Sequence, residues 1–219
     1  MNPHIAKVIC PLARKRADGI VELLGTSFAV APTKFATAAH VTGPSDVGLV
    51  IIIGKTGILT DYQDTTDISV RTLDAKLIAY DPVRDVSIIE PINVSHKASF
   101  PYSLGSTDNV FPGTPVVSLG FPHMDTGRLV LTQQSSLIGA RVLLGNNGIK
   151  TKHVVLNTQT RPGQSGGPVF SEDGNTVSAM IIGGYSPSGV RGISVGGVDP
   201  QTLHQTTHAL SAEYIKAMI

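Results

Sequence analysis

The segment Arg161-Pro162-Gly163-Gln164-Ser165-Gly166-Gly167-Pro168 places one serine among glycines, after a turn-forming proline and before the apolar pair Val169-Phe170. A serine hydroxyl is a weak nucleophile until a positioned base takes its proton. Gly163 has no side chain to obstruct a reacting carbonyl and can turn its N–H toward one. The N–H groups of Gly163 and Ser165 are therefore candidates for an oxyanion hole beside the Ser165 hydroxyl. Two upstream segments supply candidate partners: Thr37-Ala38-Ala39-His40, and Asp85 at the head of Asp85-Val86-Ser87-Ile88-Ile89. The chemistry these types can do together is acyl transfer, with His40 as general base and Asp85 holding the imidazole in the right tautomer.

Taken singly, each residue has an ordinary explanation. Serine is common in glycine-rich turns, a histidine on an apolar stretch is more often a satisfied core residue, and an aspartate before a strand can simply end a turn. Their joint occurrence, each beside a strand-like run, favours the catalytic reading. Asp81 competes with Asp85 for the carboxylate position. Asp81 precedes Pro82, a turn setting, whereas the apolar run after Asp85 can carry its carboxylate inward. Asp85 is the better candidate.

The chain order His, Asp, Ser is that of the chymotrypsin-type triad. The chain resembles a trypsin-fold serine protease, and more narrowly the catalytic domain of HtrA/DegP-type proteases. The resemblance is carried by Gly25-Thr26-Ser27-Phe28-Ala29-Val30 with Phe35-Ala36-Thr37-Ala38-Ala39-His40-Val41, and by Asp81-Pro82-Val83-Arg84-Asp85-Val86-Ser87-Ile88-Ile89. Leu104-Gly105-Ser106-Thr107, Pro112 to Pro122 and the serine segment through Gly183 extend it. It implies an all-β fold of two antiparallel six-stranded β-barrels with a C-terminal α-helix, and an endopeptidase that needs no cofactor or metal. It also implies that Gln159, Thr160, Ile182, Gly183 and Gly184 line the first substrate pocket. No acidic residue falls at the base of that pocket, so a small or medium uncharged side chain is the expected preference. The residue before the nucleophile is Gln164, where the family usually has asparagine. No PDZ domain is expected after the terminal helix. Ile20-Val21 follows a basic stretch, as in proteases activated by cleavage. Gln164 carries no charge to receive a new amine, so an uncut chain that is active, or switched on by a regulatory partner, is expected.

The elements that must position these residues are short strands. Val21 to Leu24, Ser27 to Ala31, Phe35 to Ala38, Gly48 to Ile53, Ile68 to Leu73, Ala75 to Tyr80 and Val86 to Glu90 have strand-like patterns, separated by turn signals. They predict a first barrel over about 17–100, with His40 opening a short helical turn and Arg14-Lys15-Arg16 in a solvated turn before it. A second barrel over about 112–198 would use Pro115 to Gly120, Leu129 to Ile138, Ala140 to Leu144, Val154 to Asn157, Pro168 to Phe170, Thr176 to Ile182 and Gly192 to Val195. Gly145-Asn146-Asn147-Gly148 is a hairpin signal. Leu203, Leu210, Tyr214 and Met218 have helix-like spacing and predict a terminal helix over 201–219. His204 and His208 would sit four apart on it, but no third ligand accompanies them.

The chain has 219 residues, enough for one domain of two subdomains, here a single peptidase domain over 1–219. With a net charge of +1 and 15% charged residues it lacks the basic excess of a nucleic-acid surface. The one cysteine, Cys10, excludes a disulfide framework and reads as a core residue. No stretch approaches a membrane span and no signal-peptide pattern opens the chain, which predicts a soluble, cytoplasmic protein. The rival readings are a non-catalytic module that binds an extended peptide, and a serine esterase using the same groups.

Overall fold

The computed structural model describes residues 1–93, 98–185 and 206–219. The first barrel is formed by β1 (Ile9–Lys15), β2 (Val21–Ala31), β3 (Lys34–Thr37), β4 (Leu49–Ile53), β5 (Arg71–Asp81) and β6 (Val86–Pro91), with the short helix α1 (Ala39–Thr42) after β3. It closes in the order β1-β2-β3-β6-β5-β4, and every neighbouring pair is antiparallel. The second sheet contains β7 (Ser103–Leu104), β8 (Pro115–Gly120), β9 (Thr132–Asn146), β10 (Ile149–Leu156), β11 (Pro168–Ser171), β12 (Thr176–Tyr185) and β13 (Thr206–Ser211). Its order is β11-β8-β9-β10-β13-β12-β7, and an additional β11–β12 pairing bends six of these strands into a ring. The two residues of β7 add to β12 in parallel. The terminal helix α2 (Glu213–Lys216) follows β13 directly.

Three expectations are corrected. The barrel begins at Ile9, not near residue 17. Pro11 interrupts the strand signal and a basic cluster follows it, yet Ile9, Cys10, Leu12 and Ala13 are all buried. A proline is tolerated in a strand where no ladder bond is required of it, and Pro11 lies just outside the β1–β4 register, which starts at Leu12. Secondly, three pairs of expected strands fuse. Gly25 does not break β2 and Asp74 does not break β5, while Gly139 is accommodated in β9 as the extra residue of a bulge between Ile138 and Ala140.

The third correction concerns the chain end. Residues 206–211 are a strand, and among the described residues of this segment helix is confined to Glu213–Lys216. Thr206 and Thr207 are β-branched and suit a strand. Beta13 pairs on both sides, with β10 and β12, and that double ladder overrides the apolar spacing read as helical. His208 is therefore a strand residue. His204 and the expected Gly192 to Val195 strand lie outside the described residues. The Asn147-Gly148 turn forms as expected: Asn146 pairs with Ile149, and both central residues have positive φ, 49° and 79°.

One apolar cluster fills the first barrel and continues between the barrels, through Phe28, Ile88, Leu119, Phe121, Phe170 and Met180. Each fully buried phenylalanine stabilises the fold by roughly 1.5–3 kcal/mol. A second cluster, including Val116, Ile138, Leu156, Val169 and Ile181, fills the ringed sheet. The connecting segment is pinned by Tyr102, whose hydroxyl donates to the Ala29 carbonyl at 2.7 Å while its ring meets Phe170 edge-on. Cys10 lies in the core, and burial pushes its thiol up to about 12. No helix among the described residues is long and apolar enough to cross a membrane.

Candidate active site

His40 stands on α1, a single helical turn entered through the extended residue Ala38 and ended by Gly43 at φ 63°. So short a helix cannot hold itself. It is held instead by neighbours on either side. Arg14 of β1 donates to the Thr42 carbonyl at 2.6 Å, to Ser45 O at 2.9 Å and to Val47 O, so its guanidinium gathers the helix end and the following loop. Thr42 Oγ1 meets Ser87 Oγ of β6 at 2.8 Å. Arg14 is thus a structural fork and Lys15 ends β1; the expected solvated basic turn starts only at Arg16.

Asp85 closes the turn between β5 and β6 with φ 60°, a left-handed conformation that aspartate tolerates better than most residues. Asp81 builds that turn. Its carboxylate accepts the N–H groups of Val83 and Arg84, both at 3.0 Å, and pairs with the Arg84 guanidinium at 2.7 Å. Partial burial pushes the Asp81 carboxyl upward, but the hydrogen bonds from Arg84 and Val83 and the Arg84 charge outweigh it and hold it below the usual range. The two competing aspartates therefore do different things. Asp85 Oδ2 lies 2.7 Å from His40 Nδ1, and Oδ1 accepts the His40 backbone N–H at 2.8 Å. One carboxylate grips both the ring and the main chain of the same residue.

Ser165 occupies a tight loop of the second barrel. The Gln164 N–H donates to Arg161 O at 3.1 Å, and the Arg161 N–H returns to Gln164 Oε1 at 2.8 Å. Gln164 Nε2 then reaches Gln134 Oε1 on β9 at 2.8 Å. The glutamine that departs from the family pattern is thus buried, and its longer side chain ties the serine loop to the barrel wall. Gly163 and Gly166 have φ of 97° and 84°, and a Cβ on either would fall within 2.3 Å of a backbone oxygen, Phe121 O or Thr26 O. The N–H groups of Gly163 and Ser165 donate to no described acceptor. The Ser165 hydroxyl donates to Ile182 O at 3.0 Å, and no hydrogen bond joins it to His40 among the described residues.

The expected pocket residues fall in two groups. Ile182 and Gly183 are beside Ser165: the first accepts its hydroxyl, and a Cβ on the second would sit 3.9 Å from Ser165 Oγ. Gly184 continues β12 opposite Thr207. Gln159 and Thr160 lie on the segment leading from β10 into the serine loop, with Thr160 buried. The Ile20 segment closes the β1–β2 hairpin, where the Ile20 N–H donates to Asp18 Oδ1.

Some supporting residues carry no motif. Thr26, Arg14 and Gln134 act through contacts with segments distant in sequence. His153 of β10 also carries no motif, and its Nδ1 lies 3.1 Å from the Thr151 carbonyl oxygen. Burial holds its imidazole below the usual value; the Thr151 carbonyl opposes this, His208 reinforces it, and the Asp85 charge again opposes it.

A histidine and an aspartate on one antiparallel barrel, with a glycine-flanked serine on a second, define the trypsin-like class of serine protease fold. The chain belongs to the trypsin-like peptidase domain family, whose model matches residues 25–178. A probable periplasmic serine endoprotease DegP-like from Pseudomonas fulva (strain 12-X) is 32% identical over 144 residues, which cover 60% of this chain and 28% of that protein. Among solved structures, the HtrA-type protease AlgW with decapeptide superimposes with a TM-score of 0.67 at 16% identity, covering 98% of this chain and 64% of that one. The MamO protease domain from Magnetospirillum magneticum gives 0.66 at 12% identity, over 99% and 97% of the two chains. The Rv3671c protease from M. tuberculosis in its active form gives 0.63 at 18%, over 98% and 80%. At these identities the structural likenesses establish the fold.

Proposed function

We propose that the protein is a serine endopeptidase that cleaves polypeptides through His40, Asp85 and Ser165. The observation that carries this reading is the double grip of Asp85 on His40, which leaves Nδ1 protonated and Nε2 as the base. On this reading the Ser165 hydroxyl exchanges its present bond to Ile182 O for one to His40 Nε2 when substrate enters. The Ser165 proton then passes to Nε2 as Oγ bonds to the peptide carbonyl carbon. The carbonyl oxygen becomes an oxyanion facing the Gly163 and Ser165 N–H groups. Collapse breaks the C–N bond, and His40 gives its proton to the leaving amine. Water, deprotonated by His40, attacks the acyl-enzyme; collapse frees the acid and returns the proton to Ser165.

The groups beside Ser165 are Ile182 and Gly183, with Gln159 and Thr160 on the approach. None of these four is charged, which supports a small or medium uncharged residue before the scissile bond.

A fluorophosphonate probe tests the reading. Wild type should be labelled, Ser165→Ala should not, and wild type should then cut a peptide library. No labelling of wild type would instead indicate a peptide-binding module. Labelling with ester but no peptide hydrolysis would indicate an esterase.

A further inference from the structure

We infer that Thr26 is a positioning residue for the oxyanion hole, reaching from the first barrel to set the serine loop of the second. This rests on the Ser165 reading above. Thr26 is fully buried on β2, and three of its polar groups are engaged across or beside the barrel junction. Its Oγ1 donates to Gly163 O at 2.7 Å and accepts the Phe121 N–H at 3.1 Å. Its backbone N–H donates to Ser165 O at 2.9 Å. Its own carbonyl accepts the Thr37 hydroxyl at 2.7 Å.

The two carbonyls that Thr26 holds flank the Ser165 N–H, and the first lies on the residue that supplies the other donor. Peptide groups are planar, so fixing a carbonyl fixes its whole plane. Gly163 O anchors the Gly163–Gln164 plane, and Ser165 O anchors the Ser165–Gly166 plane. The Ser165 N–H belongs to the single plane between them. The Gly163 N–H lies one plane upstream, joined through the φ and ψ of a glycine. Glycine is required there by the close approach of Phe121 O and Met124, yet it is the residue with the most backbone freedom. The Thr26 hydroxyl removes that freedom at the one carbonyl where it matters. A Cβ on Gly166 would come within 2.1 Å of Thr26 O, so the loop lies directly against this residue.

The test compares Thr26→Val, which keeps the shape and deletes the hydroxyl, with Thr26→Ser, which keeps the hydroxyl. Active sites are titrated with a fluorophosphonate, and the acylation rate per titrated site is measured on an activated peptide ester. Mispositioning at a reacting centre costs up to about 100-fold, so Thr26→Val should acylate about 10- to 100-fold more slowly. KM should change little, since the hole acts on the transition state. Thr26→Ser should recover most of the rate. A merely structural role would lower the titrated fraction or the melting temperature and leave the rate per site unchanged, and that result would overturn the inference. If valine abolishes folding, Thr26→Ala is measured in its place, with the same result expected and the same result fatal. A wild type that is neither labelled nor active would remove the Ser165 reading itself, whereas an active wild type with unimpaired variants would remove only the role of Thr26.

Discussion

Asp85→Asn is the substitution that most directly probes the His40–Asp85 geometry. The carboxylate accepts two hydrogens from one residue, the His40 backbone N–H at 2.8 Å and the ring Nδ1–H at 2.7 Å. An asparagine has one oxygen for these two donors. If the oxygen stays on the backbone N–H, the amide NH2 faces Nδ1, and the ring must carry its proton on Nε2, where the base is needed. The opposite flip sets NH2 against the backbone N–H and leaves that donor unpaired, at a cost of about 1–3 kcal/mol. At 1.4 kcal/mol per tenfold, the competent tautomer is depleted about 5- to 100-fold. Losing the negative charge beside the imidazolium costs more: about 4 kcal/mol for a near-surface pair, discounted to roughly 2–3 kcal/mol because the ring is half exposed. Together these predict a fall in kcat/KM of roughly 10²- to 10⁴-fold, with a melting temperature lowered by only a few degrees, about 4 °C. The assays are peptide-ester kinetics and ¹⁵N NMR of the His40 ring. A variant retaining more than about a tenth of wild-type activity, or one whose ring still carries its proton on Nδ1, would refute the argument from tautomers.

Two further outcomes follow from the surroundings of the site. His153 is buried and its pKa is held below the usual value, chiefly by burial. The unfolded chain therefore binds its proton first as pH falls below about 6.5, and stability drops by at most about 1.4 kcal/mol per pH unit until the folded group also protonates. His153→Gln should flatten that loss in urea unfolding at pH 7.5 and pH 5; an unchanged slope would contradict the assignment. Arg14→Lys should destabilise the fold by about 1–2 kcal/mol, because an ammonium cannot reproduce a fork to three carbonyls. An unfolding midpoint equal to wild type would show that charge alone suffices.

The candidate site is more legible in the sequence than its scaffold. Ser165 is marked by glycines whose positive φ or close packing the structure now explains, and Asp81 could be separated from Asp85 because only Asp85 is followed by an apolar run. Strands such as Pro115–Gly120 are short, mostly apolar runs with both ends marked by turn residues. Beta1 was hidden because Pro11 breaks its pattern and the β1–β4 register that accommodates it is not local. The apolar spacing of β13 fits either period, and only pairing with β10 and β12 decides between them. Thr26 shows the limit most clearly. Nothing in Gly25-Thr26-Ser27 marks its hydroxyl as special, since the carbonyl it holds lies 137 residues away.

The placement of the three candidate residues also sets a timetable. His40 and Asp85 are 45 residues apart and sit on the same barrel, so they can meet while the rest of the polypeptide is still inside the ribosome. At about 5–20 residues per second, Ser165 emerges some 4–16 s after Asp85. Its loop is then seated only when Thr26 of the finished half receives it. On the proposed chemistry, a nascent or truncated chain holds the base without the nucleophile and cannot cut its neighbours; hydrolytic power is acquired last, with the closing of the final strands.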